Sequence, residues 1–470
     1  MPGKYTIYTA PTTCRVRPVG KLGIVDWRED CSNCHNCVKR SCIYGLYRDE
    51  ADTLHNELGY LDYIYQCKGC LNCIQNCTKN ILTRVENPEF RRLGDEYFTP
   101  EIILSTWFQA ETGRIPVSGS GYGGPFSGSG FDSMWTDMSE IVRPTRDGIH
   151  GREYISTSVE IGCKLKHLEF KDFQLESIPP PFVELPLPVI FDTIPEHWQR
   201  GSVVESVIRA ASAIETMAVV RDCDGAAALA AEHKNIIPLV SDAKTAADDP
   251  LRTAPMVMVS DSDEIMAIQD ALKRQNAERI VAIRMKAAPD SAERAIQLAL
   301  DGAEVIYIVF DKHGRENAPA KPRHARDVLR EIHRALVKEG IRDQVTLVAS
   351  GGIALPEHMA KAIICGADLV AIDVPLLLAL ECRLCGECER GESCPIELEK
   401  ADTDFAVRRI KNLLGAWHQQ LVEVLGAMGI REVRRLRGET GRAMFFEDLE
   451  RDSFGRLFGK RKNFEGANQQ

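Results

Sequence analysis

Val345-Thr346-Leu347-Val348-Ala349-Ser350-Gly351-Gly352 is the stretch that decides the fold. An apolar, β-branched run ends there in a double-glycine turn; a helical stretch follows, and Gly366 precedes a second apolar strand, Ala367-Asp368-Leu369-Val370-Ala371-Ile372-Asp373. Two neighbouring strands of this kind are how the last units of a (β/α)8 barrel hold a phosphate. Ser350, Gly351, Gly352 and Gly366 are therefore the candidate cofactor-binding residues, since glycine lets backbone N–H groups approach an anion. Working outward, eight short apolar runs suit buried parallel strands: Val189–Thr193, Met217–Arg221, Ile236–Ser241, Met256–Ser260, Ile280–Arg284, Val305–Phe310, Val345–Ala349 and Leu369–Ile372. Helical stretches with charged faces, such as Ser291–Leu300 and Ala325–Val337, separate most of them. The expected fold is α/β, a closed TIM-type barrel, with a doubly wound open sheet as the alternative. Irregular stretches at Gly225–Ala231 and Ala243–Thr253 make strands two to four the least regular part.

Cysteine spacing supplies the second signal. Directly after the last strand come Cys382, Cys385, Cys388 and Cys394-Pro395. Near the start, Cys31, Cys34 and Cys37 stand at Cys-x-x-Cys-x-x-Cys spacing with Cys42 behind them, and Cys67, Cys70, Cys73 and Cys77 repeat the pattern. Such spacing wraps a loop around an iron–sulfur cubane, and the fourth cysteine of each run ordinarily ligates the other cluster. The expected sets are Cys31, Cys34, Cys37 and Cys77 on one [4Fe–4S] cluster, and Cys67, Cys70, Cys73 and Cys42 on the other. Structural zinc, which prefers two separated cysteine pairs, is the alternative for all three motifs. Cys42 comes one residue later than usual, and Ile43 and Thr78 stand where proline often follows. Cys14 reads as a spare thiol, Cys223 and Cys365 as packing residues.

The chain has 470 residues, 16 cysteines and a formal charge of −10, enough for a large core and opposed to nucleic acid or anionic membrane as partners. No apolar run is long enough for a bilayer and no signal-peptide pattern is present, so a cytoplasmic location is expected, where bunched cysteines read as metal ligands. Four parts are expected: a dicluster ferredoxin-like α+β domain over 1–86, a Gly/Ser-rich connecting segment draped on the barrel over 87–185, the barrel with its cysteine motif over 186–395, and a helical C-terminal region over 396–470. Within the last, Asp404–Leu425 carries helical periodicity, broken at Gly426 and Gly429. The basic stretch Arg431–Arg442 reads as a salt-bridged face, or as a dock for an acidic partner.

Catalytic candidates lie after strand C-termini. Arg284 ends the fifth run, placed to face a flavin ring or an anionic substrate, or else to pair with a neighbouring loop. His313, in Asp311-Lys312-His313-Gly314-Arg315, is a proton-exchange candidate or a solvated loop histidine.

With these residues in view, the segment Trp135-Thr136-Asp137-Met138-Ser139-Glu140-Ile141-Val142-Arg143-Pro144-Thr145-Arg146-Asp147-Gly148, the Ser350-Gly351-Gly352 turn and the trailing cysteines resemble the FMN-binding synthase subunit of glutamate synthases. The archaeal-type stand-alone form, with two ferredoxin clusters ahead of its barrel, is most similar, and Arg435-Leu436-Arg437-Gly438-Glu439-Thr440-Gly441-Arg442 fits the same family. The resemblance implies FMN in the barrel, electrons arriving through clusters, and reductive amination of 2-oxoglutarate with ammonia. It also implies a third cluster at Cys382–Cys394, [3Fe–4S] in the family, where Cys385 here adds a fourth thiol for [4Fe–4S]. Ammonia is expected from a separate glutaminase subunit or from solution, and electrons from ferredoxin or another oxidoreductase subunit within a hetero-oligomer.

Departures are equally specific. The small-residue turn after the first strand is Phe191-Asp192-Thr193-Ile194-Pro195-Glu196-His197-Trp198, and the glycine-rich loops after the second and sixth are Asp222-Cys223-Asp224-Gly225 and Asp311-Lys312-His313-Gly314-Arg315-Glu316. Arg284 replaces a lysine and Asp373 a glycine that meets the FMN phosphate. A carboxylate about 4 Å from a phosphate costs several kcal/mol at an effective dielectric near 20. Two functions follow: a flavin enzyme of the glutamate synthase type, or an iron–sulfur electron-transfer and scaffold subunit with an altered barrel.

Overall fold

The computed structural model describes residues 5–16, 19, 22–24, 32, 34, 36, 40–43, 70–81, 84–115, 128–137, 155–164, 168–176, 180–199, 202–221, 235–240, 254–318 and 320–455. Cys31, Cys37, Cys67 and Cys223 lie outside the described residues, as do the Gly/Ser run at 118–125, positions 138–148 and the two irregular stretches at 225–231 and 243–253.

All eight runs form strands: β1 (Val189–Phe191), β2 (Ala218–Arg221), β3 (Ile236–Val240), β4 (Met256–Ser260), β5 (Ile280–Lys286), β6 (Val305–Val309), β7 (Thr346–Ser350) and β8 (Leu369–Ile372). Each pairs in parallel with the next, and β8 returns to β1 through Val370–Val189 and Ile372–Phe191, closing the barrel and setting the open sheet aside. Apart from a few residues, most of them towards the C-terminal ends, the strands are buried on both faces, which is why the runs are continuously apolar rather than alternating.

Packed around them are α1 (Pro100–Thr112), α2 (Val203–Ala213), α3 (Ile265–Gln275), α4 (Ser291–Leu300), α5 (Ala325–Lys338), α6 (Pro356–Ile364), α7 (Val374–Ala379) and α8 (Thr403–Ala427). Helix α1 falls in the region expected to be a Gly/Ser-rich connecting segment. It buries Ile102, Ile103, Leu104, Ser105, Thr106, Trp107, Gln109 and Ala110, nearly all round, so it carries no one-sided stripe to read. Helix α8 starts at Asp402, whose Oδ2 accepts the Phe405 N–H at 3.1 Å, and runs through Gly426 to stop before Gly429, at φ 68°.

One buried arginine ties the chain's two ends to the barrel. The Arg409 side chain, fully buried, donates to the carbonyls of Ala379 (2.6 Å) and Thr12 (3.3 Å) and lies 3.7 Å from Glu381. Glu381 accepts the backbone N–H groups of Arg15 (2.8 Å) and Val16 (3.2 Å), so the N-terminal segment is pinned beside the last cysteine motif. Within the described part of 87–185, Asp132 meets His358 at 2.9 Å, and Met134–Thr136 pairs with Ala443–Phe445. The basic stretch is a salt-bridged face, with Arg434 on Glu160 (2.7 Å), Arg437 on Asp368 (2.9 Å) and Arg442 on Asp137 (3.2 Å). No described helix is long and apolar enough to cross a membrane.

Candidate functional site

Four strand ends meet in one polar network at the C-terminal mouth. Arg284 sits inside β5, which runs two residues past the expected end, and its guanidinium forks onto Asp192 after β1: Nη1 to Oδ1 at 2.7 Å and Nη2 to Oδ2 at 3.2 Å. Ser350, closing β7, donates its hydroxyl to Asp192 Oδ2. Tyr307 of β6 lies under the guanidinium, ring centroid 4.8 Å from Cζ. Burial would lift the Asp192 carboxyl; Arg284 and the Ser350 hydroxyl outweigh it and hold it below the ordinary range. Arg284 thus forms an ion pair with the neighbouring loop, the plainer of its two expected roles.

Asp373, at the end of β8, stands beside this pair. Burial, and after it the charge of Asp192, raise its carboxyl to about 6. A raised acid favours the folded state in its protonated form, so stability falls as pH climbs from near 4 through about 6. Asp373→Asn is accordingly expected to be more stable than the parent at pH 8 by roughly 1–3 kcal/mol, an advantage that disappears at pH 4. Guanidinium unfolding at the two pH values checks this, and an unchanged difference between them contradicts it.

The glycine turn shows what its freedom is for. Gly351 and Gly352 adopt φ 95° and 72°, a region disfavoured with a side chain. A Cβ on Gly351 would stand 2.5 Å from the Asp311 carbonyl, and one on Gly352 would strike Gly314. The close approach that spares these side chains is made by the protein's own loop after β6. Gly366, expected at the mouth, instead precedes β8 at the opposite end of the barrel, where its carbonyl accepts from Arg342 at 2.7 Å and it packs on His333. It has no part in the mouth.

His313 is engaged rather than solvated. Its Nε2 meets Asp95 Oδ2 at 2.8 Å, and Lys312 Nζ reaches the same oxygen at 3.2 Å. Burial opposes ionisation of Asp95, but the His313 contact and the N–H groups of Phe98 and Tyr97 prevail and hold it down at about 2.

Beside the mouth, Cys382, Cys385, Cys388 and Cys394 line one cavity of about 100 Å³, with Trp198 after β1, Val374 after β8 and Lys312 after β6 in its walls. Positive φ at Leu384, Gly386 and Gly391 curls the loop so that all four thiols reach this space. The Trp198 indole N–H donates to Cys388 Sγ at 3.0 Å. Burial pushes the Cys382 thiol up to about 12; a bound iron would remove that proton outright. Among the described residues no three His, Cys, Asp or Glu side chains converge on a single ion. A cubane is several ångströms across and takes its thiolates from further apart, so the shared cavity is the fitting observation.

In the N-terminal motifs, Cys34 Sγ lies 3.6 Å from Thr78 Oγ1, next to Cys77, and Asn72 donates to the Ser41 carbonyl, next to Cys42. Each motif's fourth cysteine is thereby carried towards the other motif.

Residues 244–431 match the model of the conserved region in glutamate synthase. The chain is 25% identical to an archaeal glutamate synthase [NADPH] of Archaeoglobus fulgidus, over 92% of this chain and 96% of that one. An archaeal-type glutamate synthase [NADPH] of Thermotoga neapolitana is 29% identical over 87% and 91%. Along most of its length the chain is thus similar to glutamate synthases. Among solved structures, a mandelate oxidase variant overlaps 65% of the chain at 15% identity with a TM-score of 0.41, too loose to bear on function.

Several residues of the site lie outside the candidates that the sequence offers. Asp192, Tyr307, Trp198, Asp95 and Tyr97 hold the mouth together, yet none was chosen as a site residue. Asp192 and Trp198 were visible inside the altered first loop; nothing in the sequence brings Asp95 to His313, 218 positions away.

Proposed function

We propose that this protein is a glutamate synthase-like oxidoreductase whose redox groups are iron–sulfur clusters, two held by the N-terminal motifs and one by Cys382, Cys385, Cys388 and Cys394. The observation that carries the reading is that these four thiols line one cavity at the mouth of a closed barrel. Clusters bound there exchange single electrons. The chain's own contribution is positional. Arg409 and Glu381 fix the start of the loop, Gly94 donates to the Arg383 carbonyl at 3.0 Å, and the Lys312–Asp95 pair closes one wall.

Kinship argues for flavin mononucleotide in the barrel and for reductive amination of 2-oxoglutarate, with ammonia from a glutaminase partner or solution and electrons from ferredoxin or another subunit. A second reading, an electron-transfer subunit of a larger oxidoreductase, is favoured by the Asp192–Arg284–Ser350 network, which occupies the strand ends where substrate or flavin would be met. Anaerobic assay for glutamate from 2-oxoglutarate, ammonia and a reduced viologen separates the two. Turnover supports the synthase; iron-replete protein that oxidises viologen only with a partner chain supports the subunit.

Trp198 supplies a finer test. Hydrogen bonds to cluster sulfurs raise reduction potentials, so Trp198→Phe, which keeps the ring and removes the 3.0 Å donor, is expected to lower the potential of one cluster in a redox titration followed by EPR. Potentials identical to the parent's would place Cys388 outside the cluster.

A further inference from the structure

We infer that the barrel mouth excludes a flavin phosphate, leaving the cysteine-lined cavity as the redox centre at this end of the barrel. The exclusion stands on mouth geometry alone; the second half rests on the iron–sulfur reading above. In a barrel of this type a phosphate is received by the loops after β7 and β8 and by a following helix N-terminus. Here the Ser350 hydroxyl and the first N–H of the helix are already engaged. At the start of α7, the Asp373 carboxylate accepts the Val374 N–H at 2.6 Å, and the next residue, Pro375, has no N–H to give. After β7, the Ser350 hydroxyl donates to Asp192, and the Phe310–Gly314 loop packs where a side chain on either glycine would stand.

That loop is itself built to stay in place. Asp311 Oδ1 accepts the N–H groups of His313 (2.9 Å) and Arg315 (2.7 Å), while Lys312 and His313 are held by Asp95. A further chain fastens the turn from outside. His324 Nδ1 accepts the Arg326 N–H at 3.1 Å, which leaves the proton on Nε2, 3.3 Å from the Tyr97 hydroxyl. Tyr97 in turn donates to the Gly352 carbonyl at 2.6 Å. Charge points the same way. Asp192 and Asp373 lie near one another after β1 and β8, and the Arg284 guanidinium is forked onto Asp192. An ionised carboxylate close to a phosphate repels it.

The test uses the full chain purified anaerobically, with iron, acid-labile sulfide and acid-released flavin measured on the same sample. FMN and riboflavin are then titrated against it by fluorescence quenching, and against Asp373→Gly, which frees the Val374 N–H and removes one charge. The expected result is no released flavin, no quenching by either compound at about 10 µM, and at least a tenfold gain for FMN in the variant. Riboflavin, lacking the phosphate, should gain nothing. One flavin per chain, or micromolar FMN binding by the parent, overturns the exclusion; a variant that keeps its iron yet gains nothing overturns the role given to Asp373. Absent iron and sulfide would sink the cluster reading while leaving the flavin result standing.

Discussion

Arg284→Ala is expected to destabilise the protein by about 3–5 kcal/mol, the usual consequence of stripping the partner from a buried charge. Asp192 is 3% exposed and would be left with the Ser350 hydroxyl as its main support at the mouth. Lysine is a poor substitute, since an ammonium reproduces the charge but not the two-pronged fit. The double variant Asp192→Ala/Arg284→Ala should recover part of the loss, because neither charge then remains unpaired. Denaturant midpoints of the four proteins measure the coupling. A loss below roughly 1 kcal/mol for Arg284→Ala would mean the pair is solvated like a surface bridge.

Cys388→Ser should cost the protein one cluster and leave the other two, lowering iron by about four atoms per chain. Serine oxygen is a harder, more weakly donating ligand than thiolate, and here it would also lose the Trp198 N–H···S contact. Because the loop is pinned by Arg409, Glu381 and Gly94 rather than by metal alone, the barrel is expected to stay folded, with far-UV circular dichroism unchanged. Undiminished iron would place the third cluster elsewhere.

How much of this was readable beforehand differs by kind of interaction. The barrel was legible because strands buried on both faces must be apolar throughout, and each such run became a strand. Cysteine spacing was legible because ligands close in sequence leave a local signature. Helix α1 was not, since burial nearly all round erases periodicity. The mouth network was not either, because Asp192, Arg284 and Ser350 meet only after closure brings β1, β5 and β7 around one axis. Gly366 was assigned to the mouth because a glycine before a strand looks the same at either end of a barrel; its contact with His333 puts it at the far end.

We propose that iron–sulfur clusters carry this protein's electrons, the last of them set at the barrel mouth. Iron, acid-labile sulfide and zinc per chain, measured on anaerobically purified protein, test it most directly. The account predicts about twelve irons with matching sulfide and no zinc; zinc without sulfide in the cysteine motifs would contradict it.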